Sequence, residues 1–201
     1  MMARLVLAVM MLSTAVFAAP TTQRFVLAAG ANDGGADRVR LRYAVSDAGN
    51  FTAVMGQMGG VDPENRVLLS EPDRASFVAA LHELAKRLEQ VPPTVRSEVL
   101  LYYSGHADET GLLFAGERLT YRELRAQLDD IGADVRIAIL DACASGAITR
   151  LKGGQRRAAF LLDESTNTRG YAFLTSSSAE ESAQESDRIG GSFFTHYLVS
   201  G

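Results

Sequence analysis

Cysteine is almost absent from this chain, which has 201 residues and one cysteine, Cys143. A single cysteine excludes an internal disulfide, so the fold must rely on core packing. Basic residues are not in excess either, since 20 Lys and Arg face 24 Asp and Glu, giving a net charge of -4. This balance offers no overall attraction to nucleic acid or anionic lipid, and neither is predicted as a partner. The 47% hydrophobic content suffices for one globular core.

The chain also lacks the common metal and serine-hydrolase motifs. It has no paired-cysteine spacing, no His-Glu-x-x-His helix and no regular carboxylate loop, so no metal or other cofactor is predicted. Calcium stimulation is left unknown, because the residues do not address it. The absence of a Gly-x-Ser-x-Gly elbow argues against a serine hydrolase of that type.

Residues 1–19 have the layout of a secretory signal peptide. Arg4 precedes an apolar run from Leu5 to Leu12, and small residues follow as far as Ala18 and Ala19. We expect cleavage after Ala18 or Ala19 and export to the periplasm or the extracellular space. An uncleaved amino-terminal anchor is the alternative, although the run is short for a membrane span. No second membrane stretch is evident, so no membrane association is expected once the signal is removed.

From residue 22 onward, short apolar runs alternate with helical patterns. This alternation predicts an α/β domain over residues 22–201, with a mostly parallel sheet in a three-layer α-β-α arrangement and helices on both faces. The pattern stops inside a helix at residue 201, so we expect the domain to continue in a longer protein. Strands are predicted at 24–29, 66–69, 98–103, 135–140 and 171–174, with one small strand at 111–119; helices are predicted at 41–55, 77–88 and 193–199, and after the Thr120-x-x-Glu123 capping box.

His106 and Cys143 follow the third and fourth of the large predicted strands. Chemistry in such sheets collects at the carboxyl ends of the strands, so these side chains are expected to meet. An imidazole beside a thiol can take its proton and later give it to a leaving amine. The alternative for Cys143 is a small buried apolar residue. His82 and His196 are expected to be solvated or packed.

Two motifs around these residues resemble those of a known family. Tyr102-Tyr103-Ser104-Gly105-His106 and Asp141-Ala142-Cys143-Ala144-Ser145-Gly146 look like the His and Cys motifs of caspase-like peptidases, among which metacaspases and bacterial caspase homologues are nearest. The resemblance extends from about Arg24 to Gly201. It implies the caspase-like fold, with strand order 2-1-3-4 and further strands beyond.

The resemblance further implies a cysteine endopeptidase that acts through a Cys143–His106 dyad and a covalent acyl-enzyme. The backbone N–H groups of Cys143 and Ala107 would form the oxyanion hole. Family members usually have glycine where this chain has Ala107. The expected partners are protein or peptide substrates with basic residues.

The expected preference for basic substrates rests on two acidic residues. In metacaspases, an Asp two residues before the nucleophile and another in the first-helix region select Arg or Lys before the cut bond, and Asp141 and Asp47 match these positions. Two carboxylates in one pocket would favour a cationic side chain. The alternative is that Asp141 ends a strand and Asp47 is a solvated helix residue.

A basic stretch from Thr149 to Arg157 follows the nucleophile, where family members are often cut during activation. Lys152 and Arg157 are therefore candidate self-cleavage sites, and a solvated basic loop is the alternative. Two rival functions also remain: a weakly active or inactive caspase-like module for binding or signalling, and a flavodoxin-like or receiver-type binding domain. The second would leave His106 and Cys143 unexplained.

Overall fold

The computed structural model describes residues 21–143, 170–176 and 184–200. Strands and helices alternate through most of these ranges, as the sequence predicts. In chain order they are β1 (Thr22–Ala31), α1 (Ala44–Gln57), β2 (Arg66–Ser70), α2 (Arg74–Leu88), β3 (Arg96–Gly105), β4 (Gly111–Phe114), β5 (Glu117–Thr120), α3 (Tyr121–Asp130), β6 (Val135–Asp141), β7 (Gly170–Thr175), β8 (Glu185–Ser186), β9 (Gly191–Ser192) and α4 (Phe193–Ser200).

Five strands form the central sheet in the order β2-β1-β3-β6-β7, and each neighbouring pair is parallel. The predicted order 2-1-3-4 is confirmed, since the fourth large strand of the prediction is β6. The longest pairing joins β1 to β3, from Thr22 opposite Arg96 to Ala31 opposite Gly105. This pairing makes β1 and β3 the centre of the molecule.

Helices cover both faces of the sheet, so the three-layer prediction is also confirmed. Successive side chains of a strand point to opposite faces, and β1 is apolar on both of them. Phe25 and Leu27 join the core under α2 and α3, whereas Val26 and Ala28 join the core under α1 and α4. Such burial on two faces explains why the strands read as continuous apolar runs.

The single small strand predicted at 111–119 is wrong, because β4 and β5 form an antiparallel hairpin there. Ala115 and Gly116 make the turn, with φ of 48° and 90°. Two central residues of positive φ are what a tight hairpin requires. The helix after the hairpin begins with the predicted capping box, in which Thr120 Oγ1 accepts from Glu123 N–H at 3.1 Å and Glu123 Oε2 accepts from Thr120 N–H at 2.8 Å.

Several sequence predictions lie outside the described residues. These are the signal peptide at 1–19 and the basic stretch with Lys152 and Arg157. Among the helices that the structure describes, none is both long and apolar enough to span a bilayer.

Two glycines next to the α1 interface should respond oppositely to alanine. A Cβ on Gly30 of β1 would collide with the Ala44 carbonyl and lie 2.5 Å from Val45 Cα, whereas a Cβ on Gly49 of α1 would meet nothing within 4 Å. We expect Gly30→Ala to lower the free energy of unfolding by about 1 to 3 kcal/mol. Gly49→Ala should raise it by about 0.5 to 1 kcal/mol, because alanine favours the helix. Urea unfolding of both variants tests this, and equal effects would contradict it.

Candidate active site

The carboxyl ends of β3 and β6 bring His106 and Cys143 to one edge of the sheet. The last residue pair between these strands is Ser104 with Asp141. His106 and Cys143 each follow two residues later, so the two segments leave the sheet at the same level. Both residues line one open cavity of about 460 Å³.

The other walls of this cavity come from two segments whose side chains the sequence analysis did not assign to the site. One is the irregular segment 38–43 before and at the start of α1, and the other contains Glu185 and Asp187 near the β8–β9 hairpin. The cavity is therefore lined by both basic and acidic residues. Its remaining lining residues are Arg38, Val39, Arg40, Leu41, Arg42 and Tyr43.

The imidazole of His106 is held on its edge and on its face. Its Nε2 lies 3.0 Å from the Val39 carbonyl oxygen, so in the neutral ring Nε2 carries the proton and Nδ1 is the free acceptor. Gly34 packs against the ring, since a Cβ there would lie 2.5 Å from both Cγ and Cδ2 of His106. Neither contact was predicted, because Gly34 and Val39 are distant from His106 in sequence.

The backbone of His106 is fixed by the tyrosine that precedes it in the motif. Tyr103 Oη lies 2.9 Å from the His106 carbonyl oxygen and 2.7 Å from that of Leu113, and Leu113 N–H donates to His106 O at 2.9 Å. Gly105 lies so close to this hydroxyl that a Cβ would approach Tyr103 Oη to 2.5 Å. This close packing explains why glycine precedes the histidine in the Tyr-Ser-Gly-His motif.

Burial lowers the pKa of the His106 imidazole below its usual value. The Arg38 guanidinium acts in the same direction, while the hydrogen bond to Val39 and the carboxylates of Glu185 and Asp33 oppose it. The net effect favours the neutral ring. A neutral imidazole is the form that accepts a proton.

Cys143 lies in the turn after β6 and is partly exposed. A small apolar core residue would instead be fully buried, so this alternative is not favoured. Within the described part of the chain, neither the Ala107 N–H nor the Cys143 N–H has a hydrogen-bond partner. Cys143 lines the cavity, whereas Ala107 is buried and is not among its lining residues.

Asp47 and Asp141 are brought together through Ser192, but neither of them lines the cavity. They are only 2% and 3% exposed, so the alternative of a solvated Asp47 is wrong. Asp47 Oδ2 accepts from Ser192 N–H at 3.0 Å. Asp141 Oδ2 accepts from the hydroxyls of Ser192 and Thr195, the latter at 2.7 Å. The amino-terminal end of α4 therefore covers both carboxylates.

The two acids resist ionisation because they are buried. Burial raises the pKa of Asp47 to about 7, with the charges of Asp141 and Glu185 adding to the effect and the Ser192 N–H opposing it. Burial also raises the pKa of Asp141, against the hydrogen bonds from Ser192, Thr195 and Ser176. Asp141 Oδ1 is buried and has no partner among the described residues. A nearby cation would lower the free-energy cost of ionising these buried carboxyls.

Glu185 and Asp187 tie the β8–β9 hairpin to the beginning of α1. Glu185 accepts from the backbone N–H groups of Arg42 and Tyr43, each at 3.0 Å. Asp187 accepts from the Arg42 guanidinium at 2.8 Å and from Tyr43 Oη–H at 2.8 Å. These bonds span more than 140 positions of sequence, and no local pattern indicates them.

The remaining histidines lie elsewhere. His82 is exposed on α2, His196 contacts Tyr197 on α4, and neither lines the cavity. In the ranges 21–143, 170–176 and 184–200, no three His, Cys, Asp or Glu side chains are grouped as metal ligands.

Comparison with known proteins identifies the family. The model of the caspase domain, peptidase family C14, matches residues 23–201. Comparison with curated proteins gives no match. The matched range includes the five-stranded sheet and both residues at its edge. The chain therefore belongs to the caspase domain family, a family of cysteine peptidases.

Proposed function

We propose that this chain is a cysteine endopeptidase in which Cys143 is the nucleophile and His106 its proton-transfer partner. One observation carries the proposal: the two residues follow the paired strands β3 and β6 at equal distance and line the same cavity. Nucleophile and base must lie close enough to share a proton. The alternative of an inactive binding or signalling module has no observation in its favour, since both residues are present.

The tautomer of His106 defines the path of the proton. Because Nε2–H donates to the Val39 carbonyl, the thiol proton of Cys143 passes to Nδ1. The thiolate then attacks the peptide carbonyl carbon, and the carbonyl oxygen becomes an oxyanion. The imidazolium gives its proton to the leaving amine as the C–N bond breaks, which leaves a thioester on Cys143. Water, deprotonated by the same nitrogen, hydrolyses the thioester and restores the thiol.

The oxyanion would be stabilised by the N–H groups of Ala107 and Cys143. Support comes from their lack of other partners among the described residues. Loss of one such donor typically costs about 3 kcal/mol of transition-state stabilisation. Alanine in place of the usual glycine keeps the donor.

We assign the preference for Arg or Lys before the cut bond to Asp47 and Asp141. Two buried carboxylates, one with an oxygen that has no partner among the described residues, would be stabilised by a cation. A guanidinium would replace hydroxyl donors with charge-assisted hydrogen bonds. Because both acids now lie under Ser192, substrate entry requires residues near the start of α4 to shift.

The peptidase assignment predicts selective cleavage. In a panel of fluorogenic peptides with Arg, Lys, Asp or Leu before the scissile bond, we expect Arg and Lys substrates to exceed the others at least about tenfold in kcat/KM. Cys143→Ala should lose about a thousandfold or more, because the nucleophile is gone. Preference for Asp would contradict the acidic pocket, and equal rates for wild type and Cys143→Ala would contradict the enzyme.

The raised pKa of Asp47 predicts that basic substrates bind less well in acid. As the pH falls from 8 to 6, Asp47 with a pKa of about 7 gains a proton and loses its charge. We therefore expect kcat/KM for an Arg substrate to fall about tenfold relative to the rate at which neutral iodoacetamide alkylates Cys143. The alkylation rate corrects for ionisation of the dyad. Cys143 is the only cysteine, so no other thiol reacts.

Asp47→Asn tests the assignment of this pH effect. In this variant, the ratio of kcat/KM for the Arg substrate to the alkylation rate of Cys143 should no longer change with pH. The preference for Arg substrates should also be weaker. Asp62→Asn, at an exposed position distant from Asp47 in sequence, is the matched control and should behave as wild type. A normal pH dependence in Asp47→Asn would show that another group is responsible.

Export and self-processing are further parts of the proposal, and they rest on residues outside the described ranges. Intact-mass analysis of the exported protein should give a chain that begins at residue 19 or 20. A second cut after Lys152 or Arg157 should appear in wild type and be absent from Cys143→Ala. The same cut in both proteins would exclude self-processing.

A further inference from the structure

The ring of His106 is held by two irregular chain segments. The loop 32–35, which follows β1, supplies Gly34 on the ring face, and the segment 38–43 supplies the Val39 carbonyl. Neither stretch contains a strand or helix between residues 32 and 43. The orientation of the imidazole therefore depends on whatever fixes these two segments relative to each other.

Glu71 contacts both segments through one carboxylate. Its Oε2 accepts from Asn32 N–H at 2.9 Å and from Asp33 N–H at 3.4 Å, on the residues that lead into Gly34. Its Oε1 pairs with the guanidinium of Arg40, the neighbour of Val39. Glu71 itself is anchored at the end of β2, where its N–H donates to the Gly30 carbonyl at 2.8 Å. One side chain thus links the sheet to both supports of the histidine.

The backbone of Glu71 gives a second, independent indication. Its φ is 49°, a conformation that is unfavourable for a residue with a Cβ and that glycine would adopt freely. The side chain is 34% exposed, and ion pairs at such exposure add little stability. Backbone strain of this kind is often found at functional positions, where the surrounding structure holds it in place.

We infer that Glu71 is a positioning residue for His106: it fixes the two segments so that Nε2–H stays on the Val39 carbonyl and Nδ1 faces the nucleophile. This inference rests on the proposed function of His106. Glu71 touches neither substrate nor the reacting atoms, so its loss should affect the chemical step more than substrate binding.

The decisive variant is Glu71→Gly, which removes the carboxylate and relieves the positive φ. We expect kcat to fall about ten- to a hundredfold with KM changed less than about twofold, because a small misplacement of a catalytic group has effects of this size. The melting temperature should stay equal or rise. Glu71→Gln, which keeps an acceptor oxygen for Asn32 N–H, should recover most of kcat. Ala115→Gly, which relieves a second positive φ of a non-glycine residue, is the matched control and should keep full activity.

A readout that needs no substrate separates this inference from the proposed function. Long-range ¹H–¹⁵N spectra of the three histidines report which ring nitrogen carries the proton. Wild type should show His106 protonated at Nε2, and Glu71→Gly should show a mixture of tautomers, while His82 and His196 stay unchanged. If Glu71→Gly lowers the melting temperature, Glu71→Asn, which tolerates positive φ, replaces it. A kcat within twofold of wild type would overturn the inference. Unchanged His106 signals would overturn it even if the wild type cleaves no peptide.

Discussion

Parallel pairing of β3 with β6 is the interaction on which the candidate site depends. The register runs from Glu98 opposite Val135 to Ser104 opposite Asp141. Neighbouring strands lie about 4.8 Å apart, so residues at equal distance beyond the last pair emerge side by side. A slip of one residue would turn every side chain of β6 to the opposite face of the sheet. The two apolar cores fix this register, because both faces of the strands are buried against helices.

Burial has opposite consequences for the two kinds of ionisable group near this edge. It lowers the pKa of His106 and raises the pKa values of Asp47 and Asp141, in each case favouring the neutral form. A neutral imidazole is suited to receive a proton. Buried carboxyls whose negative charge is not compensated are suited to receive a cation, because its charge stabilises their ionised form. Burial thus favours the neutral imidazole that the proposed mechanism needs, and it would favour a cation beside the carboxyls of the proposed pocket.

The sequence predicts those features that depend on local pattern. Apolar runs and helical spacing correctly predict the five sheet strands, and the positions of His106 and Cys143 at the ends of two of them follow from parallel topology. The Ala115–Gly116 turn was missed because alanine seldom adopts positive φ. Gly34, Val39 and Glu71 around the imidazole, and Glu185 and Asp187 in the cavity wall, could not be predicted because each acts through a contact between distant segments. Asp47 was identified by resemblance, and its burial could not have been read from the helical pattern.

The two bonds from Glu185 to the residues before α1 span 143 and 142 positions of sequence. Contacts of such sequence separation form late, since a long loop must close before they stabilise the chain. A nascent chain that has reached residue 143 already contains the candidate nucleophile and base, yet it lacks Glu185 and Asp187 of the cavity wall until these residues have been synthesised. Under the proposed function, the substrate cleft would therefore be completed only after β1 to β7 have been synthesised.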